Sequence, residues 1–109
     1  MAISVIQPTE LAQRLKKPGP PLLLDVREPD EVAFASIEGS KHIPLRDLPG
    51  RLGELEFWRD REVVVMCHHG MRSMRAAQFL QQSGFESVAN LTGGIDRWSL
   101  EVDPEVRRF

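Results

Sequence analysis

The sequence predicts an α/β fold with a mostly parallel, five-stranded sheet flanked by helices on both faces. Short apolar runs alternate along the chain with segments of helical periodicity, an order typical of parallel strands joined by crossover helices. Two of the runs, Leu22-Leu23-Leu24 and Val63-Val64-Val65-Met66, are continuous, as expected of strands that are covered on both faces. The 109 residues fit one compact domain, which we expect to span 1–109.

The N-terminal segment predicts one strand and one helix. Ile3–Ile6 is apolar and short enough for a first strand. Thr9 can cap a helix over Glu10–Lys16, because its hydroxyl can accept a hydrogen bond from the first turn. The run Pro18-Gly19-Pro20-Pro21 then ends that helix.

Two further strands and a second helix follow before the centre of the chain. Leu22–Val26 is predicted as a buried strand, and Ser40–Ile43 as another short one. Between them, Pro29 favours the start of a helix over Asp30–Ala35, since its fixed φ suits a first helical turn. The segment 44–56 is predicted to be helical in part.

The C-terminal half contains the clearest elements. Val63–Met66 is a buried strand, and Ser73–Ser83 is a helix with one apolar face. Gly84 suits the left-handed position that ends many helices. Ser87–Leu91 is the last strand, and Gly93-Gly94 forms a turn before a short final helix.

Composition and charge exclude several classes of function. With 14 basic and 16 acidic residues and no basic run, the chain predicts neither a nucleic-acid nor a membrane partner. No apolar stretch approaches the ~20 residues that span a bilayer, and the first eight residues do not resemble a signal peptide. A single cysteine cannot form an internal disulfide, which is typical of the cytoplasm and disfavours dithiol oxidoreductase chemistry.

The one cysteine, Cys67, is the candidate nucleophile. It directly follows the buried strand Val63–Met66, and ligands of parallel α/β sheets bind beyond the carboxyl ends of the strands. The next residues, His68–Arg72, curl back towards a helix, so their amides can form an anion-binding concavity. That concavity and the positive end of the helix both favour a thiolate.

The loop residues are the candidate substrate-binding groups. Gly70 permits a tight turn, and Arg72 can bind an oxyanion such as a sulfonate. We favour the backbone amides of His68 and His69 over their side chains, which either add positive potential or are simply exposed. Met71 completes the set.

Two alternatives compete for the cysteine. A lone cysteine is often a buried core residue, but the position at a strand end before a glycine-containing loop favours chemistry. Adjacent Cys67, His68 and His69 do not match zinc-ligand spacing, so no metal and no cofactor is expected. His42 is predicted to be structural or exposed.

In order along the chain, four segments resemble the motifs of the rhodanese family of sulfurtransferases. The first is similar to a D-V-R-x-x-x-E signature, the second to a segment ending in I-P, the third to a C-x-x-G-x-R-S active-site loop, and the fourth to the closing pattern. The segments are Leu23–Glu31, Ser36–Leu45, Cys67–Ser73, and Gly84-Phe85 with Val88, Leu91–Gly94 and Trp98.

The resemblance implies a rhodanese-like three-layer fold and sulfur transfer through a Cys67 persulfide. The donor would be a small molecule such as thiosulfate, or a protein, and the acceptor a thiol or cyanide. The amides of His68, Gly70, Met71 and Arg72 would cradle the transferred sulfur. Asp25, Arg27 and Glu31 would form scaffold ion pairs, and Gly93-Gly94 a structural turn.

The sequence also departs from the family pattern. Ala35-Ser36 stand where the family has Gly-His, which alters packing at the sheet edge. The side chains of His68, His69 and Met71 are bulkier and less cationic than those of thiosulfate-preferring loops.

Three other functions remain as alternatives on the same fold. They are a phosphatase or arsenate reductase, a non-catalytic binding module, and a carrier that passes persulfide from a cysteine desulfurase to a biosynthetic pathway. Four residues separate Cys67 from Arg72, fewer than in related phosphatases, and that shorter loop favours sulfur over phosphate.

Overall fold

The computed structural model describes residues 3–109, and its centre is a five-stranded sheet in the order β1-β5-β4-β2-β3. Every strand pairing in this described part is parallel. The predicted α/β class is therefore confirmed, with a sheet that is wholly parallel. The strands are β1 (Ser4–Ile6), β2 (Leu22–Asp25), β3 (Lys41–His42), β4 (Glu62–Met66) and β5 (Ser87–Leu91).

Helices follow the strands in the predicted alternation. The segment 44–56, predicted to be helical in part, forms two 3-10 helices, Leu45–Asp47 and Pro49–Trp58. Among the described residues, none of the helices has the length and hydropathy needed to cross a membrane. The α-helices are α1 (Pro8–Leu15), α2 (Pro29–Phe34), α3 (Met71–Gln82) and α4 (Gly94–Glu101).

Strand β4 separates two apolar layers because successive side chains of a strand point to opposite faces. Val63 and Val65 pack on the face covered by α3, together with Ala76, Ala77 and Leu80. Val64 and Met66 pack on the other face, together with Leu11, Ile95 and Trp98. Cys67 continues the first series, so its side chain lies on the α3 side of the sheet.

The helix boundaries correct two predictions. Thr9 does not cap α1, which begins at Pro8 after Gln7, because proline has its φ preset for the first helical position and its missing N–H would have no partner in the helix. Helix α3 begins at Met71, two residues before the predicted start, since the chain turns sharply at Gly70. The predicted left-handed conformation of Gly84 is confirmed by its φ of +95°.

Candidate active site

Cys67 lies at the carboxyl end of β4 and is 2% exposed. The backbone N–H of Gly70 points at it and donates a hydrogen bond to Sγ at 3.0 Å. Gly70 adopts a φ of +114°, a conformation that a side chain would disfavour, and α3 begins at the next residue. The sulfur thus accepts a hydrogen bond from a loop amide that directly precedes the N-terminus of α3. The predicted role of the other loop amides stays a prediction.

A polar chain that the sequence reasoning missed lies behind the sulfur. The hydroxyl of Ser73 is 3.3 Å from the Cys67 Sγ and also within hydrogen-bond reach of the Asn90 Oδ1. The Asn90 amide in turn donates to the Gly70 carbonyl at 3.0 Å. The Ser73 hydroxyl has one proton to donate. It can donate to the Asn90 Oδ1 when Cys67 is a thiol, and to the Cys67 Sγ when Cys67 is a thiolate. The sequence did contain a signal for this chain of contacts, because Asn90 is a polar residue inside the apolar strand Ser87–Leu91.

The start of α4 fixes the peptides of the segment Cys67–Arg72, which we call the cysteine loop. The N–H of Ile95 donates to the Cys67 carbonyl at 2.9 Å, and the N–H of Asp96 donates to the His68 carbonyl at 3.2 Å. In a trans peptide the N–H points away from the C=O. Because these two carbonyls point towards α4, the N–H groups of the same two peptides, those of His68 and His69, point away from α4.

Gly94 makes this close approach possible. It has a φ of +60°, and a Cβ at this position would overlap the carbonyl groups of Cys67 and His68. The turn predicted at Gly93-Gly94 thus also packs against the cysteine loop.

Arg72 is held by a carboxylate. Its guanidinium binds Glu31 through two hydrogen bonds, of 2.5 Å and 2.8 Å. The hydrogen bond from Arg72 holds the pKa of Glu31 at about 2, and the same contact raises the pKa of Arg72. Glu31 also accepts the backbone N–H of Glu28 at the start of α2. In this structure the Arg72 guanidinium is bound by Glu31. The predicted contact between Arg72 and an oxyanion therefore stays a prediction.

Asp25 and Arg27 form a scaffold ion pair, as predicted. Both side chains are fully buried, with Arg27 Nη2 2.7 Å from Asp25 Oδ2. Arg27 also donates to the carbonyls of Ala35 and Glu31. Glu31, the third member of the set, also forms an ion pair, with Arg72 as its partner. His42 is structural: its Nε2 lies 2.6 Å from the Arg27 carbonyl oxygen.

The two histidines of the loop differ in their surroundings. The His68 ring stacks on His69 at 3.9 Å and on Phe109 at 4.1 Å between ring centroids. Its Nε2 is buried without a hydrogen-bond partner in the described structure. Burial, and then repulsion from His69, lowers the pKa of His68. The His69 side chain is exposed, as is Met71 at the start of α3.

One group of side chains could in principle hold a metal ion. His68, His69 and Asp96 each bring one ligand atom within 4.8 Å of the others. Asp96 was not found from the sequence, because it approaches the histidines only through the packing of α4 on the loop. Its carboxylate is already engaged by Arg108, at 2.8 Å.

Residues 7–101 match the model of the rhodanese-like domain. The chain belongs to the rhodanese family. The resemblance drawn from the four motifs is thereby confirmed.

Named relatives agree with this assignment. The chain is 37% identical to a protein named sulfurtransferase from Allochromatium vinosum, and the match covers 89% of each. It is 40% identical to the rhodanese-like/PpiC domain-containing protein 12, chloroplastic, of Arabidopsis thaliana, over 95% of this chain. The chain spans only 36% of the length of that plant protein.

Solved structures share the fold. A rhodanese-related protein from Thermoplasma volcanium is 37% identical, with a TM-score of 0.80 over 91% of this chain and 93% of the other. Within this rhodanese fold, a cavity of about 420 Å³ lies between α1, residues 36–38 and α4. Its lining includes no residue of the cysteine loop.

Proposed function

We propose that the protein is a sulfurtransferase that carries sulfur as a persulfide on Cys67. The observation that carries the proposal is the Gly70 N–H, aimed at Sγ from 3.0 Å in a loop that leads into a helix N-terminus. Such a donor stabilises negative charge on sulfur, both in the attacking thiolate and in the persulfide.

The reaction proceeds in two displacements. In the first, the Cys67 thiolate attacks the outer sulfur of a donor such as thiosulfate. A new S–S bond forms, the donor's S–S bond breaks, and sulfite leaves with the electron pair. In the second, a thiolate or cyanide attacks the terminal sulfur, and Cys67 leaves as a thiolate.

The backbone of the loop is proposed to bind the transferred sulfur. The amides of His68, His69, Gly70, Met71 and Arg72 surround the position beyond Sγ in this proposal. Four residues between Cys67 and Arg72 support a single sulfur as cargo rather than a larger tetrahedral phosphate. A protein could supply the sulfur in place of a small molecule by the same displacement.

We further propose that the chain acts as one domain, 1–109, in the cytoplasm. The support is chemical: a nucleophilic thiol with no second cysteine in the chain stays free in a reducing compartment.

The proposal is tested by mass spectrometry after incubation with thiosulfate. The wild type is expected to gain one sulfur atom, and cyanide is expected to remove it with formation of thiocyanate. Cys67→Ser is the control, and it should gain nothing. A wild type that stays unmodified by thiosulfate and by a small alkyl persulfide, or sulfur that also appears on the serine variant, would show that Cys67 does not carry the sulfur.

A further inference from the structure

The segment after α4 returns to the cysteine loop and is anchored there by charged contacts. Arg108 binds the Asp96 carboxylate through two hydrogen bonds, of 2.8 Å and 3.3 Å. Arg107 donates to the Phe34 carbonyl at 3.0 Å, and its guanidinium lies 4.3 Å from the centre of the Phe34 ring. The segment is therefore fastened both to α4 and to the end of α2.

These anchors place the ring of Phe109 between the cysteine loop and the end of α2. On one side it stacks on His68, the residue after the nucleophile, at 4.1 Å and 12° between ring planes. On the other side it meets Phe34 edge-on at 5.4 Å and 78°. A ring in contact with both lies across the gap between the cysteine loop and α2.

The same gap is closed at a second point by the Glu31–Arg72 pair, which also joins α2 to the loop. Cys67 is 2% exposed, so neighbouring groups must move before a bulky reagent can reach its sulfur. The Glu31–Arg72 bridge is a bidentate ion pair. The Phe109 bridge is held by stacking and is 47% exposed, so it is the one that can move aside.

We propose that Phe109 is a specificity-determining residue that limits the size of the sulfur donors and acceptors that reach Cys67. This inference rests on the proposed sulfur transfer, which it deepens by naming a substrate class. Small, unbranched species such as thiosulfate or an alkyl persulfide pass beneath the ring. Bulky thiols and persulfides react only after Phe109 has been displaced.

The test uses alkylation of the single cysteine, which reports access to Sγ without any sulfur transfer. Rate constants are measured with iodoacetamide, a small reagent, and with N-benzylmaleimide, a bulky one. Each aromatic contact that must be broken lowers the fraction of molecules in which the Phe109 ring is displaced. Phe109→Ala is therefore expected to raise the ratio of bulky to small rate constants about tenfold.

Two further variants sharpen the test. Phe57→Ala removes another ring, 63% exposed and in contact with Trp58, and should leave the ratio unchanged. Arg108→Ala keeps the ring but loosens its anchor, and should raise the ratio by a smaller factor, about threefold. An unchanged ratio in Phe109→Ala, an equal acceleration of both reagents, or the same increase in Phe57→Ala would overturn the proposal.

A parallel assay separates this inference from the proposed function. The ratio of kcat/KM for a benzyl persulfide to that for a methyl persulfide should rise in Phe109→Ala as the alkylation ratio does. If the wild type forms no persulfide, the proposed function fails, while the alkylation ratio still decides whether Phe109 limits access. If the persulfide forms but neither ratio changes, only the size limit fails.

Discussion

Replacing Glu31 by glutamine should destabilise the protein in a pH-dependent way. Glutamine keeps an oxygen that can accept the Glu28 N–H, so the start of α2 retains its capping hydrogen bond. It removes the negative charge that binds Arg72 through two hydrogen bonds. The variant therefore isolates the electrostatic part of the bridge between α2 and the cysteine loop.

The size of the effect follows from the pKa of Glu31, which the Arg72 hydrogen bond lowers from 4.5 to about 2. At about 1.4 kcal/mol per pH unit, that difference sets an upper limit of about 3 kcal/mol. The Arg72 side chain is 35% exposed, and solvent screens the pair. We therefore expect Glu31→Gln to lower the free energy of unfolding at pH 7 by about 1–2 kcal/mol.

The sign of the pH dependence is fixed by the direction of this shift. Because the pKa of Glu31 is lower in the folded state, its stabilisation is fully present above pH 4.5, the unfolded value, and is lost as the pH falls towards 2. The difference in stability between wild type and Glu31→Gln should therefore shrink between pH 4.5 and pH 2.

Urea unfolding followed by circular dichroism at pH 7, 4.5 and 3 measures this difference. Glu54→Gln is the matched control, because the pKa of Glu54 is also about 2 while its side chain is 40% exposed, against 17% for Glu31. Its effect should be smaller than that of Glu31→Gln at pH 7. A difference that is as large at pH 3 as at pH 7, or equal losses in both variants, would refute the reasoning.

Three other substitutions or titrations probe the site. Gly94→Ala should cost about 1–3 kcal/mol of stability and impair sulfur transfer, because its Cβ overlaps the Cys67 carbonyl; thermal unfolding and turnover measure both, and full activity would contradict the packing role. Ser73→Ala should slow alkylation of Cys67 at pH 7 about fivefold by removing a hydrogen bond to the thiolate; an unchanged rate would show that the hydroxyl serves only Asn90. The pKa of His68 should lie below its ordinary value because the ring is partly buried, and an NMR titration showing a higher midpoint would contradict the stacked arrangement.

The sequence predicts the sheet and the position of Cys67 at a strand end because both depend on local patterns. A continuous apolar run identifies β4, and the side-chain alternation along it then places Cys67 on the α3 face. The glycine at position 70 indicates the turn, and the structure assigns it a φ of +114°. These features are set within a few residues of the cysteine.

The partners of the loop could not be predicted in the same way because they come from distant parts of the chain. Glu31 approaches Arg72 from 41 positions away, and Asn90 meets Ser73 from 17 positions away. Neither contact can be predicted from a motif, because both depend on how α2 and β5 pack around the loop. Phe109 approaches His68 for the same reason, by the return of the chain after α4.

The position of β5 has a consequence for the order in which the protein is made. This strand lies between β1 and β4, and β1 has β5 as its only strand neighbour in the described sheet. While a ribosome has synthesised the chain only to the end of α3, β1 still lacks its hydrogen-bonding partner. The carbonyls of Cys67 and His68 likewise wait for the amides of α4. The thiol therefore acquires its shaped surroundings only after β5 and α4 have been synthesised.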